Sequence, residues 1–361
     1  MTPFRTAALF LLLTAGTTAS QPKGGEVQPD RIAFGTVYTG VTVEASFMLF
    51  EPGTDPKLAL QVTAPKFVKV LRTAVHIQEF GKGNHFVCGT VEIAIDTKAA
   101  VVWRGEVSAT LGRATAKVPV TATVKKRREG LVRLLVAQTP FDRHTTRDGK
   151  SFEGWTELMS KAPLDPHYFL QSNERPVFRD LDLSKFDCVL LYDGSLVRLT
   201  PADVKKVRTF AERGGRVVLA ANRFMVGSVA KANDVLAGYG LQMRDEEGQW
   251  VTVGKAELDP KVAEAGVASL NFFRASPVAI MDPKAARALV KAKGVGQPGD
   301  AFVAVARAGR GQVVALGQSM SWNWVSKDRA GKTDNAKLLG WLLAPPEKPE
   351  KPEEPASRRI P

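Results

Sequence analysis

The sequence predicts an all-β sandwich followed by a three-layer α/β unit with a mostly parallel sheet. Residues 30–124 alternate apolar and polar side chains with a period of two, and turn sequences such as EPGTD and GKGN divide them, as in antiparallel sheets. From Leu131 onward, continuous apolar runs alternate with segments of helical period, which is typical of strands joined by helices that cover both faces of a sheet. The 361 residues suffice for two separate cores.

The first twenty residues have the layout of a secretory signal peptide. Arg5 precedes an apolar run, 7–13, and small residues continue to Ser20. This run is shorter than the roughly 20 apolar residues that span a bilayer, and no later segment is apolar enough to do so. We therefore expect a signal peptide over residues 1–20 and a mature protein that is secreted or periplasmic, with a retained N-terminal anchor as the alternative.

Residues 28–125 form the predicted sandwich. In the segment VTVEASFMLF, the apolar side chains that fall on one face are Val41, Val43, Ala45, Phe47 and Leu49. Glu44 and Ser46 fall on the opposite, polar face. Cys88 and Cys188 lie in different predicted units, which excludes a disulfide within either unit. Two buried thiols are favoured, and a bridge between the units, which needs close and well-oriented Cβ atoms, is the alternative.

The opening of this sandwich resembles that of Hydin-type bacterial immunoglobulin-like domains. The matching stretch is PDRIAFGTVYTGVTVEASFMLF, with Phe34-Gly35-Thr36-Val37 and Gly40 at the positions of the family pattern. The resemblance implies a binding or spacing module. Many members carry a pair of cysteines in mid-domain, whereas this stretch of the chain has only Cys88, so functions of that pair are not expected here.

The chain is basic, with 50 Lys and Arg residues against 37 Asp and Glu residues and a formal net charge of +13. Such a charge favours anionic polymers as partners, including cell-wall polymers, lipid headgroups, acidic polysaccharides and extracellular nucleic acid. The plainer interpretation is a generally basic, soluble surface. The basic run 125–128 overlaps a short linker, residues 126–130, and no aromatic residues alternate with it, so no specific nucleic-acid motif is predicted.

Residues 131–345 form the predicted α/β unit, and residues 346–361 form a proline-rich, charged tail that is predicted to be disordered. The stretches LVRLLVAQ, FDCVLLYDG and RVVLAAN are predicted strands. The segment TPADVKKVRTFAERGG predicts a helix with Thr200 as N-cap, Pro201 at its first position, Asp203 completing a capping box and Gly214 at its end. A hairpin, 301–317, and a helix, 334–343, close the unit.

This unit resembles the class I glutamine amidotransferase-like fold in its non-amidase branches, which include trehalose-utilisation-type proteins, the β-galactosidase trimerisation domain and the GIFT domain of ciliary transport proteins. The matching stretches are FDCVLLYDGSLVRLTPADVKKVRTFAERGGRVVLAAN and GRGQVVALGQSMSWNW with DNAKLLGWLL. The resemblance implies a flavodoxin-like sheet. An amidotransferase needs a cysteine directly after a strand, with a later histidine. Here Ala221 and Asn222 occupy that region and no histidine follows His167, so no catalytic residue is predicted.

Three other kinds of functional motif are not supported by this sequence. Residues 317–321, GQSMS, approach the serine-elbow motif, but Ser321 replaces the last glycine and no histidine follows. Residues 294–299, GVGQPG, match a dinucleotide-binding pattern but follow a predicted helix and precede a strand, the reverse of what such binding needs. Histidines and cysteines lack metal-ligand spacing. We therefore predict neither a metal nor a cofactor.

The candidate ligand site consists of polar and aromatic residues that follow the predicted strands, because open parallel sheets bind ligands outside the carboxyl ends of their strands. These residues are Asp193, Ser195, Asn222, Arg223, Gln318, Ser319, Trp322 and Asn323. Trp322 and Trp324 flank Asn323 and could stack against a sugar or hold a peptide. Asp193 and Asn222 could instead bond only to their own loops, as such residues commonly do.

Two hypotheses of function follow. The first is an exported, non-catalytic binding or scaffolding protein of the bacterial envelope, with an envelope protein or a glycan as partner. The alternative is a hydrolase or carbohydrate-modifying enzyme that uses Asp193, with or without His144, at the strand ends. A third possibility is binding of anionic polymer through net charge alone, whose affinity would collapse with added salt.

Overall fold

A computed structural model describes residues 24–28, 30–79, 83–127, 129–138, 155, 158, 161–170, 178, 181–319, 324–325 and 333–343. The predicted signal peptide, 1–20, and the predicted tail, 346–361, lie outside these residues. None of the helices found within these ranges has the length and apolar character needed to cross a membrane.

The N-terminal part of the described chain is a β-sandwich of two four-stranded sheets. Its strands are β1 (Val27–Gln28), β2 (Ile32–Tyr38), β3 (Glu44–Pro52), β4 (Leu60–Thr63), β5 (Val68–Glu79), β6 (His85–Ile95), β7 (Val101–Leu111) and β8 (Ala114–Lys125). The sheet orders are β1-β3-β6-β5 and β2-β8-β7-β4. All pairs are antiparallel except β2 with β8.

The alternation of apolar side chains predicts the inner faces correctly. Phe47 and Leu49 of β3 and Val91 of β6 are fully buried, together with Val107 and Val118 of the facing sheet. Because successive side chains of a strand point to opposite faces, Glu44 and Ser46 were expected on a polar outer face. The structure buries both, and Glu44 contacts the second unit, because its Oε2 accepts from the amide of Leu170.

The C-terminal part contains a mixed sheet of strands in the order β10-β9-β11-β12-β19-β18-β16-β13, with β17 also paired to β18. These strands are β9 (Val132–Gln138), β10 (Leu164–Leu170), β11 (Cys188–Tyr192), β12 (Arg216–Ala220), β13 (Leu241–Met243), β16 (Val278–Ile280), β17 (Ala286–Lys291), β18 (Ala301–Ala308) and β19 (Gly311–Leu316). A separate two-stranded ribbon consists of β14 (Val251–Val253) and β15 (Leu270–Phe272).

The described helices are α1 (Asp193–Val197), α2 (Pro201–Glu212), α3 (Ser228–Leu236), α4 (Pro260–Glu264) and α5 (Asn335–Leu343). The predicted start of α2 is confirmed, because the Thr200 hydroxyl accepts from the Asp203 amide at 3.2 Å and Oδ2 of Asp203 accepts from the Thr200 amide at 2.9 Å. One face of the sheet packs on α2 and α3, and the opposite face packs on α5. The predicted α/β class, with a largely parallel sheet and helices, is confirmed.

The five parallel strands run in the order β10-β9-β11-β12-β19, with pairings that confirm their shared direction. In sequence order this is 2-1-3-4-5, the arrangement of flavodoxin-like sheets. The connection after β9 leads to one side of β9, and the connection after β10 leads to the other side. The switch point of the sheet therefore lies at the carboxyl ends of β9 and β11.

The sandwich and the α/β sheet meet along strand β10, the outer strand of the parallel group. The amide of Tyr168 donates to the carbonyl of Thr42 at 3.0 Å, and the amide of Leu170 donates to Oε2 of Glu44 at 2.9 Å. Arg127 adds an ion pair with the buried Asp165, with Nε and Oδ2 2.9 Å apart. The start of β3 therefore extends the edge of the α/β sheet, and one hydrophobic core includes residues of both units.

Both cysteines are free and buried, as the sequence favours. Burial raises the pKa of the Cys88 thiol and of the Cys188 thiol, each to about 12 from an ordinary value of 9.0. For Cys188, the Arg216 guanidinium opposes the effect of burial and the Asp187 carboxylate adds to it.

These raised pKa values predict alkaline destabilisation. A folded thiol with a raised pKa stabilises the protein fully below the unfolded pKa, and this stability is lost as the pH rises from 9 toward 12. Each thiol should lower the free energy of unfolding by about 1.4 kcal/mol per pH unit in that window. We expect urea titrations at pH 8 and pH 10 to show a smaller alkaline loss for Cys88→Ala and for Cys188→Ala than for the wild type. Equal losses in all three proteins would contradict the burial of these thiols.

Candidate functional site

Asp193 lies at the switch point, directly after β11 and at the start of α1. Its side chain is 0% exposed, and its φ of 42° lies in the left-handed region. Non-glycine residues rarely adopt this conformation, and those that do are often found at functional sites. Asp193 therefore combines a buried carboxyl group with an unusual backbone at the position where sheets of this order bind ligands.

Ser195 lies two residues further on, and its hydroxyl is committed to the local backbone. Ser195 Oγ accepts from the Tyr192 amide at 2.9 Å and donates to the Tyr192 carbonyl at 2.8 Å. This pair of bonds closes the turn between β11 and α1. Since the hydroxyl is buried and used in this way, Ser195 supports the turn that holds Asp193 and is not positioned to contact a ligand.

Residues 273–276, called the edge segment below, cross the carboxyl ends of β12 and β19. Asn222, after β12, donates from Nδ2 to the Arg274 carbonyl at 3.0 Å. Gln318, after β19, accepts from the Phe273 amide at Oε1, at 2.8 Å. The structure thus brings the two predicted residues Asn222 and Gln318 onto one segment, which they hold over the strand ends.

Ser276 fixes the other end of the edge segment. Its hydroxyl accepts from the Arg223 amide at 2.9 Å and donates to the Glu246 carbonyl at 2.8 Å. Its own amide donates to the Gly317 carbonyl at 2.8 Å. The segment is therefore anchored to β12, to β19 and to the loop before β14, which gives it a fixed position above the sheet.

Arg274 has a φ of 54°, the second left-handed non-glycine backbone in the described part of the chain. Its Cζ lies 4.3 Å from the centroid of the Phe224 ring, and its Nη2 lies 2.9 Å from Oε2 of Glu247. An arginine over an aromatic face is attracted to the electron-rich ring. The guanidinium group is thus held at the rim of the site by two partners.

Trp250 and Phe273 form an aromatic platform beside this arginine. Val251 pairs with Phe272 at the end of the β14–β15 ribbon, so Trp250 and Phe273 are the next cross-strand neighbours. Their ring centroids are 5.2 Å apart with an angle of 51° between the planes. Trp250 is 46% exposed, whereas Trp155 and Trp324 are almost completely buried. Sequence reasoning missed this platform, although an aromatic residue directly beyond each of two strands, at the same end of a paired ribbon, is a signal that could have identified it.

The other predicted site residues do not join the platform. Ser319 is fully buried. Arg223 is exposed, lies 3.8 Å from Asp245 through Nε, and lines a separate cleft of about 570 Å³ beside α3. Trp324 is 3% exposed and donates from Nε1 to the Asn271 carbonyl at 2.8 Å, so it supports the core and cannot stack against a sugar. Trp322, Asn323 and His144 lie outside the described residues.

We find no cluster of three or more histidine, cysteine, aspartate or glutamate side chains suited to a metal ion within the described ranges. The described polar side chains at the carboxyl edge include amides and hydroxyls bonded to backbone, the ion pair of Arg274 with Glu247, and the buried carboxyl group of Asp193. This set suits the positioning of loops and the holding of a ligand more than proton transfer.

No protein-family model and no curated protein matches the chain. Among solved structures, the chain is similar to cytoplasmic protein STM1381 from Salmonella typhimurium LT2, with 14% identity, a TM-score of 0.40 and coverage of 58% of this chain and 96% of that one. It is also similar to the exo-β-1,4-mannosidase Op5Man5 from Opitutaceae bacterium strain TAV5, with 13% identity, a TM-score of 0.35 and coverage of 60% and 36%, respectively. A family 123 glycoside hydrolase from Clostridium perfringens has 8% identity, a TM-score of 0.20 and coverage of 45% and 34%. These similarities carry no function over to this chain.

Proposed function

We propose that this protein is an exported, non-catalytic binding protein of the bacterial envelope and that it holds a glycan on the aromatic platform of Trp250 and Phe273. The observation that carries this proposal is the exposed Trp250 ring, held beside Phe273 at the carboxyl edge of the sheet. Sheets of this type bind ligands at that edge.

The surroundings of the platform support binding without catalysis. Ser195, Asn222 and Gln318 use their side chains to fix the backbone around them. A fixed support lowers the entropy cost of binding, because few groups have to be ordered when the ligand arrives. No described side chain at the platform forms a nucleophile–base pair of the kind that acyl or glycosyl transfer requires.

The chemistry of the platform favours a sugar ring over a peptide. An aromatic face is apolar and electron-rich, and it matches the C–H face of a pyranose, whose hydroxyl groups project sideways. Arg274 directly follows Phe273 in the edge segment, and its guanidinium lies over the Phe224 ring and pairs with Glu247. In this proposal, stacking on the aromatic rings supplies affinity and polar groups around them supply orientation.

Replacing Trp250 with alanine is expected to weaken glycan binding at least 30-fold, which corresponds to about 2 kcal/mol, because a buried aromatic anchor typically dominates such contacts. The ligand is sought by screening the wild type on an array of neutral envelope oligosaccharides, and the affinity is measured by calorimetry. Met281→Ala serves as the control, since Met281 is also exposed, at 64%, but follows β16. Equal affinity of Trp250→Ala and wild type would rule out the platform.

The left-handed backbone of Asp193 favours one alternative, a hydrolase that acts on carbohydrate. A buried carboxyl group on a strained turn between a strand and a helix is a geometry used by nucleophiles. Assays with the same oligosaccharides distinguish binding from hydrolysis. Turnover by the wild type that is abolished in a folded Asp193→Asn variant would replace the binding proposal, whereas binding without turnover in both proteins would support it.

A further inference from the structure

A second cleft opens at the amino ends of the parallel strands, on the opposite edge of the sheet from the aromatic platform. It has a volume of about 930 Å³ and lies between the starts of β9 and β11, one face of α2, and the turn between β18 and β19. This volume is in the range of cavities that bind small molecules. We call it the amino-edge cleft.

The cleft has an excess of positive charge. Its basic residues are Arg133, Lys205, Lys206, Arg213 and Arg310, and its acidic residues are Asp182 and Asp187. Asp187 is already neutralised, because Arg133 donates to its two oxygens from Nε at 3.1 Å and from Nη2 at 2.7 Å. Burial alone would raise the pKa of Asp187, but the hydrogen bonds from Arg133 hold that pKa below its ordinary value.

Three of these cations have no such partner. No carboxylate of the described residues lies within ion-pair distance of Lys205, Arg213 or Arg310. Lys206 differs from them, because its Nζ donates to the Phe178 carbonyl at 2.6 Å. Among the described residues, the cleft therefore presents three cations that no carboxylate pairs with, so an anion that bound them would not have to displace one.

The arrangement of the three cations follows from the helix and the hairpin. Lys205, Thr209 and Arg213 are spaced by four residues and lie in a row on α2, which places Lys205 and Arg213 about 12 Å apart along the axis. The backbone of Arg310 lies close to that of Arg213, because the Arg310 amide donates at 3.0 Å to the carbonyl of Glu212, the residue before Arg213. Cations near a helix C-terminus also stabilise its dipole. That effect accounts for Arg213 but not for Lys205, which lies in the second turn.

We propose that the amino-edge cleft binds an oligoanion that carries several phosphate groups, with Lys205, Arg213 and Arg310 as its contacts. A span of about 12 Å needs more than one anionic group, and arginine side chains match phosphate oxygens with paired hydrogen bonds. This site is separate from the glycan platform and does not depend on it. The phosphates can belong to a free oligophosphate or to a phosphate-bearing polymer.

The test uses calorimetry with tripolyphosphate and, separately, with a purified polyol-phosphate wall polymer at the same salt concentration. The triple variant Lys205→Ala/Arg213→Ala/Arg310→Ala is compared with Arg104→Ala/Arg113→Ala/Lys117→Ala, which removes the same charges from exposed positions of β7, β8 and the turn between them. We expect the cleft variant to lose at least tenfold in affinity for a bound probe and the control variant to lose less than twofold.

The two probes separate the possible sources of phosphate. Binding of tripolyphosphate with the expected loss assigns a free oligophosphate, and binding of the polymer alone assigns the wall polymer. Equal losses in the two triple variants would mean that net charge alone attracts the anion and would overturn the proposal. Failure of both probes to bind the wild type at millimolar concentration would also overturn it.

Discussion

Replacing Gly317 with alanine is expected to destabilise the protein by about 3 kcal/mol or more. Gly317 directly follows β19, and a Cβ atom added there would lie 1.8 Å from the Ser276 carbonyl oxygen. That oxygen belongs to the backbone, so it cannot turn away as a flexible side chain would. Urea denaturation measures the change. Gly254→Ala is the control, because a Cβ at Gly254 would meet nothing closer than Oε2 of Glu257 at 3.7 Å.

We also expect Gly317→Ala to displace residues of the proposed glycan site. Ser276 and Gly317 approach closely because the Ser276 amide donates to the Gly317 carbonyl, while the Gly317 amide donates to the Phe302 carbonyl at 2.9 Å. A displaced Ser276 would move the edge segment and with it Phe273. Wild-type stability in Gly317→Ala would show that the chain does not pass this close, and the support described for the platform would then be wrong.

Local features of the fold could be predicted from the sequence because neighbours in the chain determine them. The alternation along β3 predicts its buried side chains, and the capping residues Thr200 and Asp203 predict where α2 begins. Each of these signals acts over a few residues and needs no information about distant parts of the chain. The confirmed α/β class follows from the order of such signals.

The candidate site was predicted only in part, because its key contacts join distant residues. Asn222 and Gln318 were expected at the strand ends, but the segment that they hold begins 51 residues after Asn222 and precedes Gln318 by 45. The prediction placed Trp324 beside the candidate site and did not include Trp250. The structure differs from this prediction, because the indole of Trp324 donates to the Asn271 carbonyl inside the core, whereas Trp250 is 46% exposed.

The sequence contains a signal for the position of the left-handed turn. Sequence comparison with amidotransferases directs attention to Ala221 and Asn222 after β12. In the structure, the left-handed residue is Asp193 after β11. Asp193 is followed by Gly194, and an Asp-Gly pair between apolar runs is a common turn sequence because aspartate tolerates this conformation. The Asp-Gly sequence itself, rather than the resemblance to amidotransferases, would have identified the left-handed turn.

The role of Glu44 could not be predicted, since an alternating strand gives no information about a second unit that packs on its outer face. Glu44 is 3% exposed, and its Oε2 accepts from the amide of Leu170, 126 residues away. A buried amide donor that loses its acceptor retains its desolvation cost, which makes such a contact expensive to break. The carboxylate therefore contributes to the junction between the sandwich and the α/β sheet.

We expect Glu44→Ala to lower the free energy of unfolding by about 2–4 kcal/mol, because it removes a buried charged acceptor and leaves the Leu170 amide without one. Glu44→Gln should lose less, since its amide oxygen can still accept from Leu170. The exposed Glu106, on β7, gives the control Glu106→Ala, for which a change within 0.5 kcal/mol is expected. Urea denaturation measures all three.

Calorimetry of the same variants tests whether this contact couples the two units. With the junction intact, the shared core should unfold in one transition, and in Glu44→Ala the sandwich and the α/β sheet should separate into two. A single transition with wild-type stability in Glu44→Ala would mean that the remaining contacts suffice, namely the bond from Tyr168 to Thr42 and the ion pair of Arg127 with Asp165. An ordering Ala < Gln < wild type would instead identify the acceptor oxygen itself as the stabilising group.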